Sequence, residues 1–245
     1  SYSRRVQRPG ERQLNPFVDY GDPFNLRSGN PYLLPAFTGA YEMGYTQILK
    51  KGTTLTANLY FRDKSNLITW YSEVDSNGVN LTTYQNLNSG EDLGFDMNFR
   101  GRLGKKGGFF SLGGNYFYSQ VSGDIRGQGW VNQGSGYGLN SMVSTPLWKN
   151  ASLQIMGNYR SRRVMAQGFG KPFYFIGGGF KQGFVDDRLN LSVNCRDIFN
   201  TMGWNYETRG PGFYSVGQFR WINRVVEVGL TYNFGEVQRK RRQME

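Results

Sequence analysis

Side chains that could bind a ligand gather in the long segments between predicted β-strands. Aromatic rings offer flat surfaces that stack on sugars, peptides or metal chelates, and Tyr and Trp add a polar group at the rim. The candidate ligand-binding residues are Trp70, Tyr71, Trp130, Phe169, Trp204, Tyr206, Phe213 and Tyr214. The alternative is that these rings pack the segments together or form an aromatic girdle at a membrane interface.

Basic side chains accompany these rings, and the formal net charge of the chain is +11. This charge favours acidic partners such as lipid head groups or lipopolysaccharide. The basic candidates for contacts with lipid phosphates are Arg126, Arg162, Arg163, Lys171, Arg209, Arg220 and Arg224. Ordinary solvation is the alternative for each of them. No nucleic-acid-binding motif is present, so nucleic acid is not an expected partner.

Residues for catalysis or for metal and cofactor binding are sparse. The chain has no His, which removes His-based triads and His metal sites. The carboxylate pair Asp186 and Asp187 falls in a predicted short turn, where solvation is the simpler explanation. A single Cys excludes an intramolecular disulfide, and Cys195 lies on the apolar side of its strand. We therefore expect no enzyme activity, no metal and no cofactor.

Strict alternation of apolar and polar residues identifies the elements that position these side chains. Residues 54–62 place Leu55, Leu59 and Phe61 on one face and polar side chains on the other, as in a strand between lipid and water. The same pattern covers residues 93–100, 151–160, 189–196 and 227–234. Residues 37–49, 110–119, 137–143 and 173–181 follow it less cleanly, and residues 1–6 resemble the end of a further strand. About ten antiparallel strands of about 8–13 residues are predicted, the length of a tilted membrane span.

The polar face of these strands is rich in Asn, Ser, Gly and Gln. A soluble sandwich usually exposes Lys, Glu and Thr to water instead, so this face suits the lumen of a transmembrane barrel. The predicted lumen-facing residues are Asp96, Asn98, Arg100, Asn158, Arg160, Asn194 and Arg196. Mean hydropathy is −0.57 and no apolar run is long enough for a membrane-spanning helix. Both values fit a barrel, because only every second residue of its strands faces lipid.

The predicted connections alternate strictly between short and long. Short turns lie at residues 50–52, 104–107, 146–150 and 185–188; long segments cover 8–36, 64–88, 121–134, 162–171 and 199–222. Barrels of the bacterial outer membrane have short periplasmic turns and long extracellular loops. The pattern therefore predicts an outer-membrane location with the C-terminus in the periplasm.

Several segments resemble known outer-membrane proteins. Glu227, Gly229, Tyr232 and Phe234 resemble the C-terminal signal through which the barrel-insertion machinery recognises its substrates. Three further elements resemble TonB-dependent receptor barrels of Bacteroidota type, in the same order: residues 3–9 with 14–17, residues 29–35 with 41–45, and residues 197–201 with 206–208 and 210–214. The basic residues 238–242 also recur there. The resemblance implies a nutrient-import receptor with a 22-stranded barrel, an N-terminal plug and a TonB-contacting box.

The resemblance also implies a domain organisation and a set of partners. Residues 1–235 would be the C-terminal part of the barrel, and residues 236–245 a basic periplasmic tail. Expected partners are lipid, lipopolysaccharide, the insertion machinery, the plug with further barrel strands, TonB acting through the plug, and surface lipoproteins or complex subunits. Two alternatives stay open: a scaffold subunit of an outer-membrane assembly or secretion complex, and a soluble β-rich binding module.

Overall fold

The computed structural model describes residues 1–105, 107–125, 128–210, 212–220 and 224–234, with backbone alone at 51, 88, 124, 125 and 128. Antiparallel strands dominate it, as predicted. The strands are β1 (Tyr2–Gln7), β2 (Asn25–Arg27), β3 (Ala36–Ile48), β4 (Thr54–Val74), β5 (Asn80–Leu103), β6 (Gly108–Ile125), β7 (Gln128–Pro146), β8 (Ala151–Arg160), β9 (Arg163–Met165), β10 (Gly168–Gly170), β11 (Phe173–Phe184), β12 (Leu189–Arg196), β13 (Trp204–Gly210), β14 (Phe213–Phe219) and β15 (Val225–Tyr232). Among the described residues, no helix combines the length and apolar composition needed to cross a membrane.

The main sheet, which we call the wall, is an antiparallel meander. Its strand order is β1-β3-β4-β5-β6-β7-β8-β11-β12-β15, and β2 adds to β5 in parallel. The predicted short turns all lie at one end of the wall, the turn end. Over the described residues the wall is open, because β1 pairs with β3 alone and β15 with β12 alone.

One face of the wall is a continuous apolar belt. Cross-strand pairing aligns Tyr41 with Phe61, Phe61 with Leu93, and Leu93 with Tyr118. These side chains stay exposed although they are large: Leu59, one pair nearer the turn end, is 44% exposed. A polar pair, Asp63 opposite Glu91, ends the belt on β4 and β5. The apolar part of each strand thus has about the length of a tilted bilayer span.

Four strands continue far beyond this belt, which corrects the sequence prediction. β4 and β5 have 21 and 24 residues, and β6 and β7 have 18 and 19, so the loops predicted at 64–88 and 121–134 are largely strand. Residues 67–74 and 79–87 are rich in Thr, Val, Ile and aromatic residues, which favour strands. The connection between β4 and β5 shrinks to a turn, in which Asp75 Oδ1 accepts the N–H groups of Asn77 and Val79. We call this end of the wall the extended end.

Asn66 reverses the facing of the residues that follow it on β4. Its φ of 52° is left-handed, a conformation that Asn tolerates better than most residues. Below Asn66 the odd-numbered residues belong to the apolar belt. After Asn66, toward the extended end, the odd-numbered residues lie on the polar face. Leu67 shows this: a Cβ built on Gly90, which is on the polar face of β5, would lie 2.5 Å from Leu67 Cδ1. Leu87 on β5 is also on this face, 2.9 Å from a Cβ built on Gly123.

A second sheet forms from the segments predicted as the loops 162–171 and 199–222, so those loop predictions were also wrong. Its strand order is β14-β13-β10-β9. It lies over the polar face of the wall at the extended end, where Gly134 and Gly136 leave room for it. A Cβ on Gly134 would lie 3.1 Å from Val164, and one on Gly136 would lie 2.8 Å from the carbonyl oxygen of Arg162.

The residues of the predicted insertion signal lie on β15 and just past it. Glu227 pairs with Asn194, Gly229 with Ser192, and Tyr232 with Leu189. Val228 and Leu230 on the apolar side are 68% and 69% exposed, and Phe234 packs edge-on against Tyr232 with ring centroids 4.7 Å apart. The predicted basic tail, residues 236–245, and Arg126 lie outside the described residues.

Candidate ligand-binding cleft

The wall and the second sheet enclose a cleft of about 330 Å³ at the extended end. Tyr71 of β4 and Trp130 of β7 contribute the wall side. Phe169 of β10 and Arg209 of β13 contribute the opposite side. Asn132, Gln167 and the backbone of Gly129, Gly168 and Gly210 complete the lining with Ala166. Three aromatic side chains therefore line the cleft, together with one guanidinium and two amides.

The facing of the wall residues decides which predicted aromatic enters the cleft. Tyr71 is 7% exposed and lies on the polar face because of the reversal at Asn66. Its neighbour Trp70 points to the opposite face, where its ring packs on Tyr84 with centroids 4.2 Å apart. Trp70, a predicted ligand-binding residue, is thus outside the cleft, whereas Tyr71, Trp130 and Phe169 come together in it.

Side-chain amides attach the second sheet to the wall. Gln167 accepts the N–H of Ser72 at 2.7 Å and donates to the Ser72 carbonyl at 2.9 Å, as an additional strand would. Asn132 donates to the carbonyls of Met165 at 2.7 Å and Gly168 at 3.0 Å. These bonds join residues that are distant in sequence, so they hold the second sheet at a defined separation from the wall.

Gly168 allows the closest approach within the second sheet. Its φ is 152°, and a Cβ at this position would overlap the carbonyl oxygen of Glu207 on β13. Glycine is required here because it is the residue without a Cβ. Gly170, two residues later, is different: a Cβ there would meet only ordinary contacts at 3.9 Å.

Cations dominate the electrostatics of the second sheet. Lys171 Nζ lies 3.1 Å from Glu207 Oε1, and Arg209 lies 3.9 Å from Glu207 Oε2. The hydrogen bond from Lys171 lowers the pKa of Glu207 below its ordinary value, and nearby Arg209 adds to this effect. Burial lowers the pKa of Arg163, as does the like charge of Arg160.

Several guanidinium groups lie on aromatic rings. Arg162 lies over Phe169, 3.3 Å from its centroid, and Arg163 lies 5.2 Å from that of Trp204. Arg209 lies 5.3 Å from the centroid of Tyr214. Cation–π contacts of this kind keep a guanidinium in one orientation.

The other predicted ligand-binding aromatics build the second sheet. Tyr206 covers Gly217, and Phe213 lies beside Gly210. Trp204 pairs with Phe219, and Tyr214 pairs with Arg209. These four side chains position the cleft and do not line it.

Asp197 organises the segment before the second sheet and was not among the predicted site residues. It is fully buried, and its φ of 50° is left-handed. Its carboxylate accepts the N–H of Thr201 at 3.0 Å, the Thr201 hydroxyl at 3.1 Å and the N–H of Met202 at 2.8 Å. The sequence signal was its position at the start of residues 197–201, a segment used only for the family resemblance.

The predicted lumen-facing residues all lie on the polar face of the wall. Asp96 pairs with Asn58 and Asn115, and Asn98 with Thr56 and Gly113. The remaining members of the set occupy equivalent polar-face positions on β5, β8 and β12: Arg100, Asn158, Arg160, Asn194 and Arg196. A second cavity of about 290 Å³ lies here, lined mainly by Asn side chains and Gly.

Within the described residues, no group of three or more His, Cys, Asp and Glu side chains is arranged to hold a metal ion. Cys195 is a free thiol on the apolar side, opposite Gly178 and Val226.

No curated protein matches the chain. The outer membrane protein beta-barrel family matches residues 1–232, nearly the whole chain. This match agrees with the exposed apolar belt and the antiparallel meander, and it confirms the predicted outer-membrane location. The chain belongs to the outer membrane protein beta-barrel family.

Proposed function

We propose that this chain forms part of the barrel of a TonB-dependent receptor of Bacteroidota type, including part of its extracellular entrance. Such a receptor imports a scarce nutrient across the outer membrane. The observation that carries the proposal is the position of the cleft. It opens on the polar face of the wall, at the extended end, between the wall and a sheet folded over that face. A ligand bound there would stand at the entrance to the space that the polar face borders.

The polar face itself supports passage of a hydrated solute. Asn58, Asn98, Asn115 and Asn140 line a shared cavity, and polar groups in such a position need water or another polar surface. A face of this kind suits a water-containing lumen or a polar plug, as in large transport barrels. The apolar belt on the other side suits lipid.

The proposal includes an orientation. The turn end and the C-terminus would face the periplasm, and the extended end would face outward, since outer-membrane barrels have short periplasmic turns. The apolar belt would then face lipid and lipopolysaccharide, and β15 would carry the signal read by the insertion machinery.

The proposal also includes partner strands. Unpaired backbone groups of β1 and β15 would cost several kcal/mol each in lipid. We therefore place further strands of a 22-stranded barrel against these edges, with a plug inside and TonB acting through it.

Of the two alternatives to the receptor proposal, one is set aside and one remains. A soluble β-rich module is set aside, because the chain belongs to an outer-membrane family. A scaffold subunit of an assembly or secretion complex is the remaining competitor. We propose binding and not catalysis, since the cleft is built of rings, amides and a guanidinium.

Uptake can be tested on cells with and without the full-length gene. Both strains are grown on a complex mixture of nutrients, and solute depletion is followed by mass spectrometry with and without a protonophore. We expect at least one solute to be depleted only by energised cells that carry the gene. If depletion is identical in all four cultures and the protein purifies in a complex of fixed stoichiometry, the scaffold function replaces the receptor.

A further inference from the structure

We infer that the cleft takes a ligand in which a ring adjoins a carboxylate, either an acidic sugar or an aromatic acid. The inference rests on the proposed function and specifies the chemistry of its ligand. It depends on three features of the same place: the arrangement of rings, the excess of cations and the orientation of the arginines.

Aromatic side chains line the cleft on both sides. Tyr71 and Trp130 come from the wall, and Phe169 comes from the second sheet, so aromatic surfaces face the cleft from both sides. Such faces bind the apolar face of a sugar or an aromatic ring equally well. A volume of about 330 Å³ is at the lower end for small-molecule sites and fits a ligand of one to three rings.

The charge around the cleft is unbalanced. The segments 160–171 and 204–210 contain five cationic residues and one carboxylate: Arg160, Arg162, Arg163, Lys171 and Arg209, against Glu207. Glu73, two residues past Tyr71 on the wall, adds one more carboxylate. Lys171 takes most of the charge of Glu207, because its 3.1 Å contact is shorter than the 3.9 Å contact of Arg209. Positive charge is left over for an anion from outside.

The arginines are oriented to receive that anion. Arg209 lines the cleft while its guanidinium lies 5.3 Å from the Tyr214 centroid, and Arg162 lies on Phe169. A guanidinium that uses its flat face on a ring keeps its N–H edge available for a carboxylate. Among the described residues, neither Arg162 nor Arg163 has a carboxylate partner. Arg209 would contact the ligand directly, and the other two would attract it.

Two side-chain amides line the cleft without contributing charge. Asn132 and Gln167 line the cleft, but their N–H groups already hold the second sheet to the wall. They are therefore positioning residues, and the charged contact depends on Arg209.

The test measures binding by the full-length protein in detergent. The probes are a hexuronate trisaccharide with its neutral hexose counterpart, and naphthoate with naphthamide. The variants are Trp130→Leu, Arg209→Gln and Arg209→Lys. The matched controls, Trp148→Leu and Arg188→Gln, remove the same groups at the turn end of the wall.

We expect one acid to bind more tightly than its neutral counterpart, and the successful acid identifies the source. Trp130→Leu and Arg209→Gln should weaken that binding by about tenfold or more, and Arg209→Lys should weaken it less. The controls should bind as the parent protein does. Folding of each variant is checked by its heat-dependent shift in electrophoresis.

Three results would overturn the inference: no acid binds, the neutral compound binds equally well, or the cleft variants behave like the controls. These results are distinct from failure of the proposed function. Energised uptake of a neutral solute would leave the receptor in place and remove the acidic ligand. Tight acid binding without any energised uptake would support the acidic ligand and remove the receptor function.

Discussion

The belt of the wall and its extended end are built from the same strands but follow different rules. In the belt, the face of the sheet on which a residue lies determines whether its side chain is apolar or polar. Leu59 is apolar and exposed, and its neighbour Asn58 is polar and lies on the opposite face. At the extended end single contacts determine the structure, such as the bonds of Gln167 to Ser72 and the tight approach of Gly168 to Glu207. The residue types of the belt follow from the apolar and polar surroundings of its two faces, whereas those of the extended end follow from specific tertiary contacts.

The largest effect should come from placing a charge on the belt. Leu59→Arg puts a guanidinium in lipid, which costs about 2–4 kcal/mol near the middle of a bilayer. Asn58→Arg, on the adjacent residue of the polar face, should cost much less. The measurement is the free energy of folding into lipid bilayers. Equal costs for the two variants would mean that the belt does not face lipid.

Substitution of a single glycine should destabilise the second sheet at the extended end. Gly168→Ala forces a Cβ into the Glu207 carbonyl and should destabilise the second sheet by about 1–3 kcal/mol. Gly170→Ala is the matched control, since its Cβ has ordinary contacts. Hydrogen exchange of the β13 amides reports the effect, and the belt amides should not change. A uniform change across both regions would contradict their independence.

The smallest effect should be a pH dependence confined to the extended end. The pKa of Glu207 is lowered from 4.5, so its ion pair with Lys171 is fully stabilising above pH 4.5. This contribution is lost as the pH falls through the lowered folded-state pKa. From neutral to acidic pH, the protection factors of the β13 amides against hydrogen exchange should fall less in Glu207→Gln than in the parent. Identical profiles for both proteins would assign the dependence to other carboxylates.

The belt could be predicted from sequence because its rule is periodic. Alternation placed Leu55, Leu59 and Phe61 on one face, and the confirmed antiparallel strands have the expected pairing. Short turns were also predictable, because polar and glycine-rich connections interrupt the pattern. Strand length was not, because the strands continue beyond the apolar belt, where tertiary contacts bury Tyr71 and Leu87.

The cleft was predictable only as a set of residue types. Tyr71, Trp130 and Phe169 belonged to that set and meet in the structure, but so did Trp70, which faces away. The choice between Trp70 and Tyr71 depends on the left-handed φ of Asn66, which alternation does not reveal. Asp197 was missed because its role, accepting N–H groups of Thr201 and Met202, is visible only once the turn is folded.

The reversal at Asn66 has a consequence for how such a protein can diversify. Beyond Asn66, Tyr71 of β4 lines the cleft, whereas Leu59, nearer the turn end, belongs to the apolar belt. The hairpin beyond Asn66 is bonded to the second sheet through Ser72 and Gln167, so the two have to change together. Substitutions in this pair of elements can alter the cleft while the sequence of the apolar belt stays the same.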